Sequence, residues 1–456
     1  MKKYKKTILC ASAALCLLGA ALTGAVDVSV KTQAETLTFI EESLLPVWEG
    51  ETAYYEPVLP VANEYGGIDP ITLLYPIEEI ISVQNAEMTV TYQAGVDYAV
   101  SKGRLIIADD GNIPVLSYTE FHPYTGEAGF ESNEGGYVCF HEGAWFHSKQ
   151  IVVTYKHTDY DGYIPEGKSH LLPNTMQKLS NRENVDMLVL GDSISVGANS
   201  SAFTDVSPYL PTYPELFKTK LESAYGATVN LTNPSVGGKG IDWGIGEIDG
   251  ILSNMADCDL AVLAFGMNDG SMSGAMFAQK ANRLISAIQE KFPQAEVLLV
   301  ATMLPNPQAK NFYLNQKSFA DALIEKCEKQ GVAVVNMTAM HSGLLARKGY
   351  ADMTGNNVNH PNDYLARVYA QTLFATLQDK AVIPDEIPDE TSEEISEESA
   401  SEQSSVTSVP NEQNQRPTAS FFGLLLGGCT ATMATIHAGI IAVLSGTAIL
   451  KKKKDE

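Results

Sequence analysis

From about Asn184 to Leu377 the chain repeatedly switches its hydrophobic period, and this alternation constrains the fold more than any other feature. Short apolar runs read as strands at Met187–Leu190, Thr228–Leu231, Leu260–Phe265, Val297–Ala301 and Val332–Val335. Segments with helical spacing fit around them at Pro211–Tyr225, Gly274–Phe292, Leu314–Gln330 and Asp363–Leu377. Strand-helix alternation predicts an α/β fold with a doubly wound parallel sheet over residues 184–380. Such sheets place ligands at the carboxyl ends of their strands.

The region before it reads differently. Met88–Tyr92, Val96–Val100, Arg104–Ala108 and Gln150–Tyr155 are short alternating runs separated by turns such as Gln93-Ala94-Gly95 and Ser101-Lys102-Gly103. From about Leu37 to His157 no long helical period is present. The expectation is a small all-β sandwich over residues 37–165, ahead of the α/β domain.

Both ends carry targeting signals. A basic start, Met1-Lys2-Lys3-Tyr4-Lys5-Lys6, precedes an apolar run from Ile8 to about Ala25, the layout of a secretory signal peptide over residues 1–25. Cys16 follows Ala13-Ala14-Leu15, which is no lipoprotein box, so lipidation is not expected. Residues 384–416 are rich in Glu, Ser, Thr and Pro and cannot bury a core; they read as an extended acidic spacer. Phe421–Leu450 holds no Asp, Glu, Lys or Arg and is long enough to cross a bilayer. Lys451-Lys452-Lys453-Lys454 follow in the tail, residues 451–456, which places the tail inside and the body outside. Spacer, apolar run and basic tail together resemble a sortase sorting signal of Gram-positive bacteria. The nearest match, Arg416-Pro417-Thr418-Ala419-Ser420, lacks the leucine and glycine of that signal, so a retained transmembrane helix is expected.

The formal charge is −24. Setting aside the basic start and tail leaves about −30 on the exported part. That disfavours nucleic acid and anionic lipid surfaces, which need basic patches. Of six cysteines, Cys10 and Cys16 lie in the signal region and Cys429 in the apolar run. Cys139, Cys258 and Cys327 remain, an odd number that points to buried free thiols, with one disulfide as the alternative. No Cys/His spacing suggests a metal site, and no cofactor is expected.

The apolar run Val185–Leu190 ends in Gly191-Asp192-Ser193, which delivers a serine to a sheet edge. A serine there is a nucleophile candidate if later segments supply a base and oxyanion donors. Gly238, then Gly266-Met267-Asn268-Asp269, then Asn359-His360-Pro361 follow in order, each at a strand end or loop. His360 is the natural base, because imidazole titrates in the useful range. Gly238 lets backbone approach closely. Asp192 and Asp269 are assigned to bracing their turns, and Asp363 to capping the closing helix.

These blocks resemble the SGNH hydrolases, also called the GDSL esterase family. Gly191-Asp192-Ser193, with Gly197, matches the first block. Asn233-Pro234-Ser235-Val236-Gly237-Gly238 matches the second, and Gly266-Met267-Asn268-Asp269 the third. The resemblance covers roughly residues 184–378 and implies a flavodoxin-like sheet and a serine ester hydrolase. Ser193 would be the nucleophile and His360 the base. The backbone N–H groups of Ser193 and Gly238 and the Asn268 amide would hold the oxyanion. The last block departs from the family's Asp-x-x-His, since Asn357 stands three residues before His360. Asp352 is the nearest upstream carboxylate and the candidate to orient the imidazole; a backbone carbonyl is the alternative.

A β domain ahead of such a hydrolase resembles certain carbohydrate esterases. With export, it suggests short-chain O-acyl esters on carbohydrate, acetyl above all, or a small ester. A lipase or lysophospholipase, and a catalytically inactive surface binding protein, are the competing readings. No apolar lid-like insertion is seen between the blocks.

Overall fold

The computed structural model describes residues 33–379, Asp159 excepted. The signal peptide, the spacer, the transmembrane helix and the tail expected from sequence lie outside the described residues.

The chain begins with α1 (Gln33–Ser43), β1 (Thr52–Val58), β2 (Glu79–Asn85), β3 (Tyr98–Ser101) and β4 (Arg104–Ile107). It continues through α2 (Tyr118–Phe121), β5 (Gly129–Glu131), β6 (Tyr137–Cys139) and β7 (Ile151–Lys156). All pairings among these strands are antiparallel: a sheet in the order β1-β7-β2, and the hairpins β3-β4 and β5-β6.

Two local expectations change. A helix, α1, stands where no helical element was expected; it buries Phe39, whose ring packs edge-on to Tyr55. Its Ala, Glu and Leu favour a helix locally, but the turn count is too low for a clear period. Met88–Tyr92 is no strand. Asn85 Oδ1 accepts from Thr89 N (2.8 Å) and Val90 N (2.9 Å), and the backbone turns through Met88 at φ 56°. A side-chain amide that satisfies its own backbone in this way makes a turn.

The α/β part follows as α3 (Pro173–Ser180), β8 (Val185–Gly191), α4 (Ser193–Val196), α5 (Tyr213–Tyr225), β9 (Val229–Thr232) and α6 (Ile241–Ser253). Then come β10 (Leu260–Ala264), α7 (Gly274–Lys291), β11 (Glu296–Ala301), α8 (Phe319–Lys326), β12 (Ala333–Asn336), α9 (Met337–Leu345) and α10 (Asp363–Thr376). The five strands are all parallel, in the order β12-β11-β10-β8-β9. This is the flavodoxin-like winding, whose order reverses between β8 and β10. Every residue of β10 is buried, as a sheet covered on both faces requires. Helix α6 escaped the sequence reading because Gly244, Gly246 and Gly250 lower its propensity. It forms because Ile241, Ile248 and Leu252 are buried, and Gly244 lets it approach the Phe265 ring too closely for a Cβ.

The antiparallel layer and the parallel sheet share one hydrophobic core: Val153 and Tyr155 of β7 belong to the same cluster as Phe217, Val262 and Tyr369. Hairpin β5-β6 also grips the loop after β11. Asn133 N donates to Gln308 O (2.9 Å) and Lys310 N to Glu131 O (2.7 Å). Cys139, Cys258 and Cys327 are free and buried.

Candidate active site

The site lies at the carboxyl end of β8, beside the reversal of strand order. Gly191 closes β8 because a Cβ there would collide with Ser195 Oγ and Ala264 O. Asp192 is the N-cap of α4, its Oδ1 accepting from Ile194 N (3.0 Å), and Gly197 ends that turn at φ 90°. Burial raises the Asp192 carboxyl to about 7. Ser193 is thereby held at the mouth of the turn, 6% exposed. Its neighbour Ser195 is a strut, bonded to the Tyr213 hydroxyl at 2.7 Å in the core.

His360 comes from the loop between α9 and α10, and its Nε2 lies 2.9 Å from Ser193 Oγ. That loop is wound around Asn356, whose Oδ1 accepts from the backbone N–H groups of Val358, Asn359 and His360, each at 3.0 Å. On the far side of the ring, Nδ1 lies 2.5 Å from Asn199 Oδ1. Asn199 Nδ2 is directed to Gly143 O (2.9 Å) and Gly355 O (3.5 Å), so its oxygen is the atom facing the ring. Asn356 Nδ2 also lies 3.1 Å from Nδ1, but its two hydrogens have acceptors in Asn359 Oδ1 (2.9 Å) and Glu142 Oε1 (3.2 Å). The closer Asn199 oxygen therefore holds the hydrogen on Nδ1 and leaves Nε2 free to accept from Ser193 Oγ. Glu142 Oε2 stands 3.4 Å from the same Nδ1, and its Oε1 accepts from Asn356 Nδ2 at 3.2 Å.

The donor side is built by two loops. The segment after β9 passes over Ser193, so that a Cβ on Gly237 would sit 3.6 Å from Ser193 Cβ. Gly238 is exposed and has φ 73°, a conformation that favours glycine. Asn233 anchors this segment by donating to Ser195 O (2.8 Å). After β10, Asn268 is exposed, and its Nδ2 donates to Lys239 O at 3.0 Å. The amide has a second N–H and is therefore free to serve a ligand. Asp269 braces both loops: it is buried, its two oxygens accept from Ile241 N (3.0 and 3.2 Å), and burial raises it to about 6.

Ser193, Gly238, Asn268 and His360 thus converge from four separate segments. Asp352 does not join them. It is buried away from the ring, with Oδ1 accepting from Leu59 N (2.8 Å) and Oδ2 from Gly349 N (3.1 Å). Its carboxylate ties the antiparallel layer to the α/β part, which corrects the expectation that it orients His360. Asn357 also faces elsewhere, donating to Cys139 O (3.1 Å) from a backbone at φ 61°. The cap of α10 is Asn362, not Asp363; Asp363 Oδ1 accepts from Ser201 N (2.7 Å). His341 is structural: it is fully buried, accepts from Leu304 N (3.1 Å), and burial pushes it down to about 3.

Asn199, Asn356 and Glu142 were not singled out from sequence. An asparagine six residues after the serine and one four before the histidine gave a faint local signal. Glu142, in another layer of the fold, gave none.

The arrangement can deprotonate a serine hydroxyl, one requirement of acyl transfer, and the loop carrying Gly238 passes over that serine. The family comparison agrees with this chemistry. Residues 189–368 match the model of the GDSL-like lipase/acylhydrolase family. Among solved structures, the chain is similar to a two-domain esterase active on acetylated mannans, at 21% identity and TM-score 0.39, covering 47% of this chain and 55% of that one. The chain therefore spans about half the length of that esterase. It is also similar to a lipolytic G-D-S-L family protein of Veillonella parvula (18% identity, TM-score 0.33, 41% and 95% covered). A third is Est24, a carbohydrate acetylesterase of Sinorhizobium meliloti (12%, TM-score 0.32, 42% and 96% covered). No curated protein matches.

Proposed function

We propose, from the match of residues 189–368 to the model of the GDSL-like lipase/acylhydrolase family, that the protein is a cell-surface serine esterase removing short O-acyl groups, acetyl above all, from carbohydrate. The observation that carries the reading is the 2.9 Å contact between Ser193 Oγ and His360 Nε2 at the end of β8. Ser193 Oγ attacks the ester carbonyl carbon while His360 Nε2 takes its proton. The carbonyl oxygen becomes an oxyanion among the N–H groups of Ser193 and Gly238 and the Asn268 amide. The carbon–alkoxy bond then breaks, and His360 returns the proton to the departing sugar hydroxyl. Water repeats the sequence on the acyl-serine, releasing the carboxylic acid and restoring Ser193.

The glycan preference rests on the acidic body, the antiparallel layer ahead of the hydrolase domain and the absence of a lid-like apolar insertion in the sequence. Export and single-span anchoring rest on the apolar start, the acidic spacer, Phe421–Leu450 and the lysines behind it. Acetate release from acetylated glycans, beside p-nitrophenyl esters of rising chain length, tests the substrate class. Specificity constants that climb from acetyl to octanoyl would reject it, since a pocket gains about 0.8 kcal/mol for each CH₂ it buries. Ser193→Ala is expected to lose activity by several orders of magnitude and to stop labelling by a fluorophosphonate. Retained turnover in that folded variant would place the nucleophile elsewhere. Protease added to intact cells is expected to release an active body; a protected body would reject the topology.

A further inference from the structure

The imidazole of His360 lacks the carboxylate that its own domain would be expected to provide. Asn357 and Asp352 both bond away from the ring, and the groups directly on Nδ1 are two neutral amides, Asn199 Oδ1 at 2.5 Å and Asn356 Nδ2 at 3.1 Å. An amide fixes the tautomer but carries no charge to balance the imidazolium that forms when Ser193 is deprotonated. Among the described residues, the carboxylate that comes within ion-pair distance of Nδ1 is Glu142, at 3.4 Å. It belongs to the antiparallel layer, three residues beyond β6.

We propose that Glu142 is a positioning residue of the hydrolase, delivered by the antiparallel layer, and that with Asn199 it takes over the two duties of the missing acid: Asn199 holds the ring and Glu142 supplies the charge. The proposal rests on the serine esterase reading above.

The backbone carrying Glu142 is held from both sides. Cys139 O, at the end of β6, accepts from Asn357 Nδ2 (3.1 Å), and Gly143 O accepts from Asn199 Nδ2 (2.9 Å). Gly143 turns the chain at φ 77°, and Phe146 just beyond is fully buried. Asn199 and Asn356, which organise the ring, thus also contact Gly143 and Glu142 respectively. The side chain is aimed as well, since Asn356 Nδ2 donates to Oε1 while Oε2 faces the ring. Burial opposes the ionised form of Glu142, but the contacts with His360, Asn356 and Asn199 outweigh it and hold the carboxyl below its ordinary range. The antiparallel layer is then part of the catalytic centre, whether or not it also binds glycan.

The test is Glu142→Gln in the full chain. It keeps the shape and the acceptor for Asn356 and removes only the charge. The Glu142 side chain is 53% exposed, so solvent weakens the pair, and Asn199 still orients the ring. The loss in kcat is therefore expected to be about 10- to 100-fold, far below the roughly 10⁴-fold of a removed triad acid, with KM unchanged. Glu142→Asp should recover part of the loss. Formate should restore turnover to Glu142→Ala in a concentration-dependent way, a rescue that a merely structural role cannot show. A kcat within twofold of wild type in Glu142→Gln, or a loss expressed in KM and indifferent to formate, overturns the proposal. If Ser193→Ala and His360→Ala remain active, the esterase reading itself has failed, which is a separate result.

Discussion

Lys348→Met tests how the two layers are joined. Lys348 Nζ lies 2.6 Å from Glu56 Oε1 of β1, and the two side chains are 0% and 1% exposed. Lys348 also donates to Pro57 O (2.9 Å), while Glu56 accepts from Leu74 N (2.7 Å) and the Tyr155 hydroxyl (2.6 Å). Methionine fills similar space but leaves the Glu56 charge in the core with two neutral donors. Removing one partner of such a pair costs about 3–5 kcal/mol, since the remaining ion has no water to return to. For a domain of this size, at the low end of about 2–4 °C per kcal/mol, that is a fall in Tm of roughly 6–10 °C. Thermal unfolding followed by circular dichroism at pH 7 would measure it in Lys348→Met, in Glu56→Gln and in the double variant. The double variant should be less destabilised than the sum of the singles, because each single strands what the other removes. A Lys348→Met protein melting within a degree of wild type, or singles that simply add, would refute a buried ion pair at this junction.

Asn268→Ala should lower kcat by about 10²–10³-fold with little change in KM, the usual cost of one oxyanion donor; steady-state kinetics on an acetyl ester would check it, and a loss below about tenfold would remove Asn268 from that role. The pH dependence of stability follows from Asp192. Folded, its carboxyl keeps its proton up to about 7, against an ordinary value of 3.8. Between these values the native state binds the extra proton, so its contribution is complete below 3.8 and is lost as pH rises toward 7. Asp192→Asn should flatten that decline, as read by urea unfolding at pH 4 and pH 7; a wild type that gains stability over the interval relative to the variant would contradict it.

The fold was legible where local pattern and tertiary context agree. All five parallel strands were read to within a few residues; β8, β10, β11 and β12 are nearly continuous apolar runs because both their faces are covered, while the edge strand β9 alternates. Pattern failed where side chains act on backbone or where packing overrides propensity. Asn85 converts an alternating run into a turn through two side-chain bonds, and nothing in the alternation announces it. Helix α6 carries three glycines and is stabilised by burial of Ile241, Ile248 and Leu252, a fact of the sheet rather than of the segment.

The site divides along the same line. Ser193, Gly238 and Asn268 each follow a strand, and those strands, β8, β9 and β10, are neighbours in the sheet order β10-β8-β9, so motif reading reaches all three. The groups behind His360 obey no such rule. Asp352 was named because it is near in sequence, yet it satisfies Leu59 N and Gly349 N, two donors that would otherwise be left without it. Glu142 lies 218 residues before His360 and reaches it only because the two layers share a core and Asn199 and Asn356 bind the segments on both sides. A carboxylate brought in by another layer is free of the spacing that an acid on the histidine's own loop must keep. Its position is fixed by packing, and packing is what a linear motif does not record.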